Sequence, residues 1–185
     1  MCISIETNRL ILRQFTEKDA EAASQNSKQP VVAHYMSDMV LETKEEALKW
    51  IKWVNEKKFD IGIPCIVLAV EIKETRTCAG LIGIAPKQEL DGEIEILFSL
   101  SDEFQNRGYI TEAAQTLIEW AFENTKIPYL IAIVKHDNAS SNRVISKLGF
   151  KYDGERRIDY DGEMTDFHYY KLTPNFNRSS ALQSD

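Results

Sequence analysis

The chain has little cysteine, no surplus of positive charge and no long apolar run. Its three cysteines, Cys2, Cys65 and Cys78, are odd in number and unclustered. That pattern argues against a disulfide frame or a cysteine zinc cluster and fits reduced thiols in a cytoplasmic protein. His34, His136 and His168 stand far apart along the sequence without metal-ligand spacing, so no metal is expected. Lys and Arg total 22 against 29 Asp and Glu, a formal net charge of −7. Such a balance argues against a nucleic-acid backbone as main partner. It suits a cationic acceptor, or simply a solvated acidic surface. No apolar stretch approaches the ~20 residues of a membrane span. The opening Met1-Cys2-Ile3-Ser4-Ile5-Glu6 lacks the basic start and apolar region of a signal peptide. Repeats, low-complexity tracts and obvious linkers are also missing.

What is present is 185 residues, 43% apolar and 28% charged, enough for one domain with a real core. Residues 1–173 read as a single domain and 174–185 as a frayed tail. Ile5 to Phe15 reads as a strand. Thr16-Glu17-Lys18-Asp19 is a capping pattern that starts a helix through Ala20, Ala22 and Ala23. Thr43 to Lys57 is a second helix, with Ala47, Trp50, Ile51 and Val54 at helical spacing. Strand-like runs follow at Pro64 to Ile72, Thr77 to Ala85 and Glu93 to Leu100, with an Asp91-Gly92 turn before the last. After Gly108 the period changes: Ala113, Ala114, Leu117, Ile118, Ala121 and Phe122 make one helical stripe. Pro128 to Val134 is a continuously apolar strand. Ser141 to Leu148 is a helix ended by Gly149. Strands near Phe150 to Asp159 and Met164 to Leu172 flank Asp161-Gly162. The order β-α-α-β-β-β-α-β-α-β-β predicts an α/β (α+β) layer protein. Its twisted sheet is mixed and mainly antiparallel, of about seven strands with about four helices. One parallel crossover, from Glu93 to Val134, is expected.

Two polar segments each open a helix. The first is Gln105-Asn106-Arg107-Gly108-Tyr109-Ile110-Thr111-Glu112-Ala113. The second is Asn138-Ala139-Ser140-Ser141-Asn142-Arg143, whose helix closes at Lys147-Leu148-Gly149-Phe150. Helix starts expose unpaired backbone N–H groups that favour a phosphate. Gly108, without a Cβ, lets the backbone come close to it, with Thr111 adding a hydroxyl and Arg107 a charge. No Gly-Lys-Ser/Thr follows, which excludes a kinase-type phosphate loop. A simple strand-to-helix turn at Gly108 is the plainer alternative. The pair together points to a pyrophosphate-bearing acyl carrier.

With the opening Thr7-Asn8-Arg9-Leu10-Ile11-Leu12-Arg13 and Asp19, these segments resemble the GNAT acyltransferase superfamily. Within it the chain is similar to the branch of ribosomal-protein N-terminal (alanine or serine) acetyltransferases. The resemblance implies the GNAT fold, acetyl-CoA as co-substrate and a primary amine as acceptor. That amine is first a protein or peptide N-terminus, and alternatively a polyamine, amino sugar or amino acid. A monomer or homodimer without membrane or nucleic-acid partners is expected. An acyl-CoA sensor without turnover is the alternative of a different class. The resemblance also implies cofactor contacts from Phe98, Ser99 and Leu100 on a splayed strand, and from Gln105 to Thr111. A backbone N–H on that strand would polarise the thioester carbonyl. Asn138 and Asn142 would bond the pantetheine arm.

Glu93 and Glu95 share a sheet face. Glu95 stands where the branch has a strand glutamate, and either could be the base or part of a solvated face. Many superfamily members carry a tyrosine acid on the later helix, but its place here is Ile145. The branch instead implies Ser141 near the thiol, where a helix N-cap is the plainer reading. Ile110 also departs from the common glycine or alanine. Glu112 fits a helix N-terminus better than chemistry. Tyr35 and Met36 are candidates for the acceptor site.

Overall fold

The computed structural model describes residues 3–57 and 59–174. Eight strands form one sheet in the order β1-β2-β3-β4-β5-β6-β8-β7. They are β1 (Ser4–Glu6), β2 (Leu10–Arg13), β3 (Ile66–Ile72), β4 (Thr77–Lys87), β5 (Glu93–Leu100), β6 (Leu130–Lys135), β7 (Lys151–Tyr160) and β8 (Glu163–Leu172). Five helices accompany them: α1 (Ala20–Ser27), α2 (Pro30–Tyr35), α3 (Lys44–Glu56), α4 (Tyr109–Asn124) and α5 (Ala139–Lys147). Every pairing is antiparallel except β5 with β6. Thus the mixed, mainly antiparallel sheet and its single parallel crossover are as the pattern predicts. No helix among the described residues is long and apolar enough to cross a membrane. The expected tail at 174–185 lies, beyond Pro174, outside the described residues.

Two elements differ from the sequence reading. The strand expected from Ile5 to Phe15 is two strands, β1 folding back on β2. The Thr7 hydroxyl accepts the Leu10 N–H at 2.8 Å and the Thr7 N–H donates to the Leu10 carbonyl at 3.0 Å. These bonds make a tight turn inside a run whose alternation looks continuous. The second difference is α2, opened by Pro30 at its first turn, where a missing N–H costs nothing. The described residues therefore hold eight strands and five α-helices, against about seven and four expected.

Strand alternation sends alternate residues to two cores. On one face Leu10, Leu12, Leu68, Val70, Ile82 and Ile84 meet the α4 stripe Ala113, Ala114, Leu117 and Ala121, all essentially buried. On the other, Phe15 and Ala69 pack against Ala20 of α1 and against Ala47 and Ile51 of α3. Each fully buried Leu or Ile contributes roughly 1.5–3 kcal/mol. The Asp91-Gly92 and Asp161-Gly162 turns place both residues at positive φ, as tight hairpin connections require.

A charged cluster pins α1 to the sheet. Arg13 grips the buried Asp19 carboxylate with both terminal nitrogens, at 2.7 and 2.9 Å, and its Nε donates to Glu71 at 2.6 Å. The Thr16 N–H also donates to Asp19, at 2.7 Å. Burial alone would raise the Asp19 pKa, but Arg13 and Thr16 outweigh it and hold the carboxyl below its ordinary value.

Candidate active site

Strands β5 and β6 pair at one position, Glu95 opposite Ile131, and then diverge. A cavity of about 540 Å³ opens along that divergence. The hydrogen-bond parity of β5 shows what the gap exposes. The Ser101 N–H donates to Ala79 of β4 at 2.9 Å. In an antiparallel ladder, bonding alternates along the strand. The odd-numbered residues of β5 therefore bond β4, and the even-numbered ones turn their N–H groups toward β6. Past the single contact at Glu95, the amides of Phe98 and Leu100 face the gap. Phe98, Ser99 and Leu100 all line it.

The N-terminus of α4 forms the next wall. Gly108 is its N-cap residue, at φ 77°, a left-handed conformation that costs an L-residue roughly 1–2 kcal/mol. The Glu112 N–H is bonded to the Gly108 carbonyl at 3.1 Å. The Tyr109, Ile110 and Thr111 amides precede Glu112, the first helical donor, and stay unpaired within the helix. Gln105, Asn106, Gly108, Tyr109, Ile110 and Thr111 all border the cavity. Gln105 contributes less than its position promises, because its amide donates to the Leu100 carbonyl and to Asp102, both at 3.0 Å. Ile110 is partly buried against the core and also borders the cavity. Arg107 is not in the wall; its carbonyl accepts a bond from Arg9 at 3.0 Å.

Arg9 is a residue whose role the sequence did not disclose. Its guanidinium binds Glu112 at 2.7 Å and lies 4.5 Å from the centre of the Tyr109 ring. The Thr7 hydroxyl and the Arg9 N–H also donate to Glu112. Burial raises the Glu112 pKa, yet these donors overcome it and lower the value. Glu112 thus ties the α4 start to the β1–β2 turn, a structural role in keeping with its place in the first helical turn.

The third wall is α5, which begins at Ala139, two residues before the expected Ser141. Asn138 is its N-cap: its Oδ1 accepts the Ser141 N–H at 3.1 Å and the Ser140 hydroxyl at 2.9 Å. Asn138 and Ser141 line the cavity and Asn142 does not. The Asn142 amide donates to the carbonyls of Lys135 and Asn138, at 3.2 and 2.9 Å. Its oxygen accepts the Tyr170 hydroxyl at 2.6 Å. These bonds hold Asn142 against the sheet, away from the gap. Ile145, where the superfamily often has tyrosine, is 1% exposed and lines the cavity as an apolar surface.

The two strand glutamates are sharply different. Glu93 accepts the hydroxyls of Tyr129 and Tyr169, at 2.8 and 2.9 Å, and stands outside the cavity. Glu95 lines it, and burial pushes its pKa up to about 7. The Lys87 charge and the Ile133 amide oppose that rise, while Asp38 and Glu89 add to it. Beyond Glu95, Tyr35, Met36, Asp38 and Tyr160 border the far end. The Tyr160 hydroxyl donates to Asp38 at 2.8 Å, joining the β7–β8 hairpin to the segment after α2. Burial first, then the hydrogen bond to Asp38 and its charge, raise the Tyr160 pKa. Neither Asp38 nor Tyr160 carried a sequence signal, since each acts through a partner remote along the chain.

The site therefore offers unpaired amides at a helix start, strand amides facing a gap, and a proton acceptor near neutrality. Comparison with known proteins agrees with that chemistry. A family model described as an acetyltransferase (GNAT) domain matches residues 9–151. An uncharacterized N-acetyltransferase of Bacillus subtilis, YnaD, is 30% identical over 175 residues, covering 91% of this chain and 95% of that protein. An acetyltransferase structure of the GNAT family from Bacillus anthracis superposes with a TM-score of 0.78 at 24% identity, covering 92% of this chain and 98% of that one. RimL, a ribosomal alpha-N-protein acetyltransferase solved with coenzyme A, shares the fold at a TM-score of 0.74 and 17% identity, over 92% and 98% of the two chains. The chain belongs to the GNAT acetyltransferase family and is an N-acetyltransferase.

Proposed function

We propose that the cavity between β5 and β6 holds acetyl-CoA, and that the enzyme moves the acetyl group directly to the N-terminal amine of a protein or peptide. The observation that carries this reading is the convergence of three features on one gap: the α4 start, the inward amides of β5 and Glu95. The diphosphate of coenzyme A lies at the Tyr109–Thr111 amides, where the helix dipole adds roughly 0.3–1 kcal/mol to direct hydrogen bonds. The thioester carbonyl lies beside the Phe98 amide. A single donor of that kind is worth about 2.7–4 kcal/mol in other enzymes. Glu95, directly or through one water, takes a proton from the acceptor ammonium and leaves a neutral amine able to attack. An α-amino group has a pKa near ~8, so about a tenth is neutral at pH 7. The amine nitrogen bonds the carbonyl carbon, the C–S bond breaks, and the proton the nitrogen sheds in becoming an amide passes to the departing thiolate, through Ser141 or water. The Asp38 carboxylate at the far end favours an approaching cation.

The acceptor class rests on the likeness to the ribosomal branch and on a far end open to both kinds of amine. The test is free-thiol release from acetyl-CoA with an amine panel. The panel holds peptides beginning in Ala or Ser, a polyamine, an amino sugar and free amino acids. Release with the peptides, confirmed by a mass shift on their N-termini, supports the proposal. Release with small amines alone moves the acceptor class, and none with any amine removes direct transfer.

A further inference from the structure

His136 and His168, distant in sequence, are brought together at the edge of the sheet beside α5. Their rings stack with centroids 4.3 Å apart. Glu155 stands beside them, its Oε1 3.4 Å from the Nε2 of His136. One ligand atom from each of the three lies within 4.8 Å of the others. We propose that His136, Glu155 and His168 form a binding site for a divalent transition metal of the zinc class, separate from the acetyl-transfer cavity.

The backbone places these groups deliberately. Strand β7 pairs with β8 as Tyr152 opposite Tyr170, then as Glu155 opposite His168, so one extra residue is inserted between them. Gly154 in that bulge has φ 91°. Successive residues of a strand point to opposite faces. Without the insertion, residue 154 would face His168 and the Glu155 carboxylate would lie on the far side of the sheet. Bulges characteristically re-aim a side chain in this way. On its other side His168 pairs with Val134 of β6, and His136 follows immediately after that strand. Three neighbouring segments therefore each supply one ligand.

Asn142 fixes the tautomer of His168. The Nδ1 of His168 is 2.9 Å from the Asn142 Oδ1. The Asn142 amide nitrogen already donates to two carbonyls, so its other atom is the acceptor. His168 must then carry its proton on Nδ1, which leaves the Nε2 lone pair for a ligand. A ligating histidine ordinarily has this kind of hydrogen-bonded support. Two imidazoles and one carboxylate, with a position open to water, match the donor set and count of a three-ligand zinc site. An oxygen-seeking ion such as Mg²⁺ would be poorly served by two nitrogens. A metal-free histidine–glutamate ion pair is the competing account.

The experiment is calorimetric titration of Zn²⁺ into chelator-stripped full-length protein. The wild type should bind one equivalent saturably. His136→Ala changes an exposed turn residue and keeps the fold; it should weaken binding at least tenfold. Asn142→Ala, which removes the support of His168, should weaken it by about 10–100-fold. Circular dichroism of each variant separates lost ligands from lost fold. Histidine ring NMR should show His136 and His168 shifting together at one equivalent. Absence of saturable binding in the wild type overturns the proposal. So does binding that His136→Ala leaves intact, since the ion would then sit elsewhere, for instance on a free thiol. Acetyl-transfer activity plays no part in either outcome.

Discussion

Asp19 is buried and Glu95 half-buried at the cavity wall, and the protein treats their charges in opposite ways. Asp19 is clasped by both terminal nitrogens of Arg13 and by the Thr16 amide, which hold it ionised. Glu95 faces a cavity with Lys87 as the leading favourable charge, and burial pushes its pKa to about 7. A carboxylate with a bidentate cation is locked in one state and serves as a fastener. One held near neutrality can gain and lose a proton under working conditions, as a general base must. The difference lies chiefly in the partners: Asp19 has a bidentate cation and a backbone donor that outweigh its burial, and Glu95 has nothing comparable.

Substitutions should separate the fastener from the base. The largest effect is expected from Glu95→Gln, which should lower kcat by about 10²–10⁴-fold while acetyl-CoA affinity by calorimetry is nearly unchanged. Arg13→Ala should do the reverse. It strands the buried charge of Asp19 and leaves Glu71 with Arg76 alone, and chemical denaturation should show a loss of about 3 kcal/mol. The folded fraction should still bind acetyl-CoA. Gly108→Ala tests the other side of the cavity. A Cβ there meets nothing closer than the Arg9 Nη2 at 3.5 Å, so the penalty is the left-handed backbone alone, roughly 1–2 kcal/mol. The relaxed loop should bind acetyl-CoA about tenfold more weakly; unchanged affinity would place the diphosphate elsewhere.

A further prediction concerns stability and pH. The folded-state pKa of Glu95 is raised, so ionising it opposes folding. Its contribution is most favourable below the ordinary carboxyl value and is lost as pH rises from about 4.5 to about 7. For Asp19 the sign reverses: its lowered pKa adds stability above the ordinary value, lost as pH falls through the folded one. Melting curves of Glu95→Gln should therefore show a gain over wild type that grows between those two pH values and then levels off.

The sequence reading succeeded where structure is local and failed where it depends on remote partners. The α4 stripe, the Asp-Gly hairpins and the β5–α4–β6 crossover follow from periodicity and turn chemistry within short windows. The split of the first strand hid in a single Thr7 hydroxyl that interrupts an otherwise regular alternation. At the cavity, the glycine opening α4 could be picked out by residue type, while only the family resemblance marks Glu95, with Glu93 as an alternative. The roles of Arg9, Asp38 and Tyr160 could not, because each is defined by a partner remote in sequence. Asn142 shows the converse: a promising polar residue whose bonds are taken up by Lys135, Asn138 and Tyr170. Likewise, the spacing of His136 and His168 carried no hint that a bulge would bring Glu155 to them.

The most direct measurement is the pH dependence of single-turnover acetyl transfer, with acetyl-CoA saturating, in wild type and Glu95→Gln. With an acceptor amine whose own pKa lies well below 7, the wild-type rate should rise through about pH 7 and level off. The variant should be slow and should lack that limb. Superimposable profiles, differing in neither height nor shape, would contradict Glu95 as the base.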